Sequence, residues 1–179
     1  MLERSLRITE RAFGPEHKET ATTLCNLSGA YGTLGEAQAA RELLERALAI
    51  QEREFGADHS IVANTLACLG NELVTLGQPE TAKAMHERAL AIQEAEFGAE
   101  HMNVAFTLTC LGDTCRELGD GRAARDFVSR SLAIVEREFG PDHEIVAGTL
   151  ASLGGAAFNF VCRGLVDDRF GASVQQLAG

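Results

Sequence analysis

Tryptophan is missing from this 179-residue chain, tyrosine occurs once and proline three times. Alanine, leucine, glutamate and arginine dominate instead, which is a helical composition. Positive charge is the scarcer sign: 16 lysines and arginines stand against 26 carboxylates, a net charge of −10. Phosphate binding needs a basic stripe, so nucleic acid is excluded as the main partner. The acidic excess favours solubility and neutral or basic partners, although charged outer helix faces alone produce the same number. There is no Gly-rich phosphate loop, no nucleophile elbow and no HExxH sequence. The residues therefore support no enzyme, no cofactor and no metal. The five cysteines are odd in number and lack zinc-ligand spacing, and Glu3, Arg4 and Arg7 interrupt any apolar run at the start. The expectation is a reducing, cytoplasmic compartment.

What the chain does have is a period. Phe13-Gly14, Phe55-Gly56, Phe97-Gly98 and Phe139-Gly140 recur every 42 residues, and His17, His59, His101 and His143 follow at a constant offset. A fixed period without insertions describes a stack of like units, presenting a long surface rather than a pocket. Repeats fall near 17–56, 59–98 and 101–140, after a partial repeat at 1–14 and before a degenerate one from 143. The uncharged stretch from Ile145 to Cys162 holds Gly148, Ser152, Gly154, Gly155 and Asn159. It lies in the register of a repeat helix and reads as a buried solenoid helix, not a membrane span.

Each unit reads as a helical hairpin. Val62, Leu66, Leu69, Leu73 and Leu76 alternate at spacings of four and three, one face of a first helix. Gly77 ends it and Pro79 permits a second helix to about Phe97. Ala82, Met85, Ala89, Leu90 and Gln93 give that helix a broader buried face. Gly98 then stops it in a left-handed cap over which Phe97 can pack, and Asp58 or His59 caps the first helix. Small residues recur where helices must approach: Ser28, Gly70, Gly112 and Gly154 at one position, Ala40, Ala82 and Ala124 at another, Ala47, Ala89 and Ser131 at a third. A larger side chain there costs roughly 1–3 kcal/mol by overpacking.

Leu66, Leu69, Gly70, Leu73, Gly77, Ala82 and Ala89 fall in the order and spacing of the tetratricopeptide repeat. The longer period and the phrases LERALAIQEREFGADH (44–59) and SLAIVEREFGPDH (131–143) resemble the kinesin light chain branch of that superfamily, over about residues 2 to 160. The resemblance implies an all-α, right-handed superhelical solenoid of antiparallel hairpins. Residues 1–13 read as the tail of a second helix whose first helix is missing, which suggests a fragment or a shortened gene model. No heptad segment precedes the repeats in this sequence, so the expectation is a chain without the family's coiled coil. The family's paired asparagine survives only as Asn26, its equivalents being Cys68, Cys110 and Ser152. The fourth repeat decays: Val161 replaces the turn glycine, and 161–179 form a degenerate cap or tail, with Asp167-Asp168 able to cap a short helix carrying Phe170, Val174 and Leu177.

Candidate sites follow from the stacking. Equivalent histidines lie about one helix-packing distance apart, roughly 10 Å, whereas metal ligands converge within about 2 Å of one ion. The histidines are therefore structural. The same spacing keeps Cys68 and Cys110 from a disulfide, and Cys25, Cys68 and Cys110 read as small residues near the concave surface, with Cys115 in the core. Arg4, Arg46, Arg88 and Arg130 recur on a solvated face, with Arg46 paired to Glu42 along its own helix.

The resemblance places the first helices on the concave face. It picks out Thr22, Cys25, Asn26 and Gly29 in the first repeat, then Asn64, Ala67, Cys68, Asn71 and Thr75. Phe106, Thr109, Cys110, Asp113 and Arg116 line the third, and Gly148, Ala151, Ser152 and Gly155 the fourth. Cys25, Ala67 and Thr109 stand where chaperone-binding relatives need lysine, so that carboxylate clamp is absent. Asparagines can bond to an extended backbone, and Phe106 offers a shallow apolar seat. The expected function is a protein–protein interaction module of scaffold or adaptor type, binding an extended, neutral or basic, partly apolar peptide, with no nucleic acid or membrane partner. The alternatives are a structural spacer or self-association segment acting through the terminal repeats, and a regulatory arm of a multidomain enzyme.

Overall fold

The structure, a computed structural model, describes residues 2–154. The expectations for Gly155 to Gly179, including Val161, the Asp167-Asp168 cap and the degenerate tail, lie outside the described residues, as do Asn159 and Cys162. Eight helices and no strands occur within them: α1 (Leu2–Phe13), α2 (Lys18–Thr33), α3 (Ala37–Phe55), α4 (Ser60–Thr75), α5 (Pro79–Phe97), α6 (Met102–Glu117), α7 (Gly121–Phe139) and α8 (Glu144–Gly154). The all-α expectation holds. Consecutive helices pack on one another, and first helices also touch their neighbours, α4 on α6 and α6 on α8. This is a solenoid of hairpins α2–α3, α4–α5 and α6–α7, flanked by α1 and α8.

Each hairpin closes its own core cluster. Ala21, Leu24, Ala47 and Ile50 pack together in the first, and Ala63, Leu66, Ala89 and Ile92 belong to the second. The third gathers Ala105, Leu108 and Ile134, with Val146 from α8. The neighbouring helix seals each cluster, Leu6 of α1 against the first and Leu48 of α3 against the second. Burial is thus shared between adjacent units, as expected of a quasi-one-dimensional stack.

The Phe-Gly…His phrase forms the joints. Gly56 and Gly98 adopt φ of 91° and 85°, a region where a Cβ is strained, and so end α3 and α5. Three residues on, the histidine becomes the N-cap of the next helix. Its Nδ1 accepts the backbone N–H two residues ahead at 3.1–3.3 Å in all four copies. The preceding phenylalanine lies against the same imidazole, with ring centroids 4.7–5.2 Å apart. Phe97 packs on His101, and His59, not Asp58, supplies the cap of α4. Substituting His59 by alanine removes the cap and the ring contact together. The expected loss is about 1 kcal/mol, measured by urea unfolding, and a variant as stable as the parent would show the cap to be ornamental.

Two further links join neighbouring units, and neither was read from the sequence. Gln51 of α3 accepts from the Thr65 hydroxyl of α4 at 2.6 Å, and Gln93 of α5 accepts from Thr107 of α6 at 2.6 Å. Both pairs are buried. On the outer edge Arg46 reaches Glu10 at 2.8 Å and the Pro15 carbonyl at 3.1 Å, not Glu42, which instead accepts from Gln38. Arg88 repeats this with Glu52 and the Ala57 carbonyl, and Arg130 with Glu94 and the Ala99 carbonyl. The periodic arginines form a ladder from one unit to the next.

Candidate interaction surface on the first helices

The twelve residues assigned to a groove all lie on α2, α4 and α6, and the structure divides them. Thr22 and Asn26 are exposed on α2, and Thr75 is exposed on α4. Asn71 is half-buried beside it, and no hydrogen bond among the described residues engages the side-chain amide of Asn26 or Asn71. Asn64 is half-buried and its Oδ1 accepts from Gln93 Nε2 at 3.4 Å, so it is partly committed to the joint. Phe106 is half-buried against the cluster of α4 and α5. It fills the seam between the second and third hairpins more than it offers a seat.

Two assignments need correction. Thr109 is buried, its hydroxyl donating to the Ala105 carbonyl at 3.0 Å and lying 2.8 Å from Ser131 Oγ. Cys110 is buried as well. Helix α7 approaches α6 closely enough to cover Thr109, so the buried arc of α6 is wider than its leucine stripe implied. Asp113 is half-buried and ion-paired with Arg116 one turn along. Burial raises its carboxyl pKa, while Arg116 opposes the shift.

Cys25 and Cys68 are kept as thiols. Burial pushes Cys68 up to about 12, with Cys25 and Cys110 adding to the effect. Cys25 is raised by burial too, against hydrogen bonds from Thr65 and Gln51. A nucleophilic cysteine needs the opposite environment. Among the described residues no group of His, Cys, Asp and Glu could hold a metal ion, and no helix is long and apolar enough to cross a membrane.

The residue that sequence reasoning missed is His86. It is fully buried on α5, at the repeat position held by Leu44 and Val128. Nε2 lies 3.2 Å from the Ala67 carbonyl, which can only accept, so that nitrogen carries the proton. Nδ1 faces Thr114 Oγ at 3.1 Å. Burial pulls its pKa down to about 4, the Ala67 contact opposing. The polar phrase around it, HER, disguised a core position.

A sequence model of the tetratricopeptide repeat matches residues 1–53, 31–95 and 61–136. The chain belongs to the tetratricopeptide repeat family. Within that family it is similar to solved structures that include a putative kinesin light chain. BtubC (BKLC) from P. vanneervenii is 27% identical with a TM-score of 0.69, over 78% of this chain and 56% of that one. A Podosopora anserina putative kinesin light chain of nearly identical TPR-like repeats is 25% identical with a TM-score of 0.63, over 77% and 65%. A form of that protein carrying one glutamine-to-methionine substitution shares the fold at 20% identity and a TM-score of 0.72, over 98% and 81%. The chain thus spans less than two thirds of the length of the first two. No curated protein matches it in sequence. Tetratricopeptide repeats generally mediate protein–protein interaction, and the solenoid supplies the stacked surface for it.

Proposed function

We propose that the exposed faces of α2 and α4 hold an extended peptide segment, neutral or basic and partly apolar, and that the chain acts as a scaffold or adaptor. The observation that carries this reading is the pair of unengaged amides, Asn26 and Asn71, on two first helices that lie side by side. Their adjacency is fixed by the 3.6 Å contact of Cys25 Sγ with Thr65 Oγ1. Amides with free donors and acceptors bond equally to the carbonyls and N–H groups of an extended backbone, independent of its side chains. Thr22 and Thr75 flank them, and the net charge of −10 favours a basic ligand by steering. Rigid helices hold these groups in place before binding, which lowers the ordering cost.

The test is calorimetry with extended basic peptides selected from a library on the immobilised chain. Asn26→Ala/Asn71→Ala is expected to weaken binding about tenfold, roughly 1.4 kcal/mol. Phe106→Ala is a poor probe because it also empties a packed seam. Unchanged affinity in the double variant, with helix content preserved, would remove the groove from these helices.

A further inference from the structure

The loops that open the three complete hairpins carry the same phrase and differ in what holds them. At the first, Arg46 donates to the Pro15 carbonyl at 3.1 Å, and Arg53 pairs with the Glu16 carboxylate at 2.7 Å and with its carbonyl. The third repeats both grips, Arg130 on the Ala99 carbonyl at 3.2 Å and Arg137 on the carboxylate and carbonyl of Glu100. At the middle loop Arg88 reaches the Ala57 carbonyl at 3.0 Å, but Ala95 stands where the period places the second arginine. Asp58 is the counterpart of Glu16 and Glu100. It is exposed, and no hydrogen bond or ion pair among the described residues reaches it. Ala95 is exposed as well and too short to reach across. One alanine inside the array sets this gap, and neither end of the array does.

We infer that the middle loop docks an arginine supplied by a partner protein, carried on a segment with apolar residues beside it. Charge complementarity names the arginine. A carboxylate and a carbonyl at this position bind a guanidinium twice in the same chain, and the planar fork of arginine spans both acceptors where the point charge of lysine does not. The apolar neighbours follow from what surrounds the gap. Phe55 and Ile61 are 36% and 37% exposed. The Ser60 N–H donates to Glu96 Oε2 at 2.8 Å, which brings the end of α5, where Phe97 is 37% exposed, beside the start of α4. At the position of Ile61 the first and third loops carry Glu19 and Asn103, so the apolar rim and the missing arginine coincide. An exposed ion pair alone contributes little, and the apolar contact adds to it. Asn71 lies about three turns along α4 from this loop, so the surface is separate from the groove and does not rest on it.

The test is a titration of the isotope-labelled full chain, followed by NMR, with an acetylated leucine–arginine–leucine amide. The same peptide carrying citrulline, a neutral isostere of arginine, is the control. The arginine peptide is expected to shift the amides of Asp58 to Ile61 and of Ala95 to Phe97 saturably, and the citrulline peptide to bind about fivefold more weakly. Ala95→Arg supplies the missing residue in cis, at an exposed position where the first and third hairpins carry arginine, and circular dichroism checks that the helices persist. It should abolish the shifts. A parent without saturable shifts overturns the inference, including the case in which Arg163 or Arg169 of the same chain already holds Asp58. Equal affinity for the citrulline peptide overturns it too, as does an Ala95→Arg variant that binds as tightly as the parent. Shifts confined to the amides of Asn26 and Asn71 would support the groove and overturn this loop.

Discussion

Substituting Gly70 by alanine is expected to destabilise the chain by about 1–3 kcal/mol, although it adds one methyl group to a helix that alanine favours. A Cβ at this position would lie 2.2 Å from His86 Nε2, 2.5 Å from Cδ2 and 2.8 Å from Cε1. The ring cannot step aside cheaply. Its two nitrogens face the Ala67 carbonyl and the Thr114 hydroxyl, and it has no solvent to move into. Helix propensity pulls the other way by about 1 kcal/mol, and steric overlap at this distance outweighs it. The measurement is urea unfolding of Gly70→Ala, His86→Ala and the double variant. The two changes should couple strongly, since alanine at 86 clears the space that alanine at 70 needs. Additive effects, or a Gly70→Ala variant as stable as the parent, would show that the helices are not in this close contact.

The second large effect is a loss of stability in mild acid. An ordinary histidine titrates at 6.5, and His86 is held at about 4 in the fold. The unfolded chain therefore binds a proton that the folded chain refuses. The contribution is fully present above about pH 6.5, erodes as the pH falls through that window, and levels off below about 4. Its full span is about 3 kcal/mol. Carboxylates add their own pH dependence at the acid end, so the quantity to measure is the difference between the parent and His86→Val. Valine is chosen because Val128 fills the same position opposite Gly112. The expected result is a variant whose stability falls less between about pH 6.5 and 4 than that of the parent. Parallel curves would place His86 in contact with water.

Much of this architecture was legible because the period is strict. Helix ends announce themselves through Gly56, Gly98 and their equivalents, where backbone geometry admits few other residues. Pairings across units were harder to see. From one strand of text the natural partner of Arg46 is Glu42, four residues away. Its actual partner is Glu10, brought close only by the rotation of one unit on the next. The resemblance puts Thr109 and Cys110 in the groove by fixed offsets along the first helix, but an offset gives an angle around α6 and not how far neighbouring helices wrap over it. His86 escaped notice for the opposite reason. A polar residue at an otherwise apolar repeat position looks like drift until the facing glycine and the Thr114 hydroxyl explain it.

The buried threonine–glutamine links are unevenly distributed, and this sets where the stack gives way. The first joint has only Thr9 and Thr23, at 3.4 Å, and the next two have glutamines accepting at 2.6 Å. At the last, Val135 replaces glutamine and Thr149 bonds back to Ile145 in its own helix. Units coupled this way behave like a zipper with strong teeth in the middle and weak ones at either end. Under tension, or under partial denaturation, the outer helices should peel away first and leave α2 to α7 as the surviving core. The segments freed first would be α1 and α8, which hang on the two weak joints.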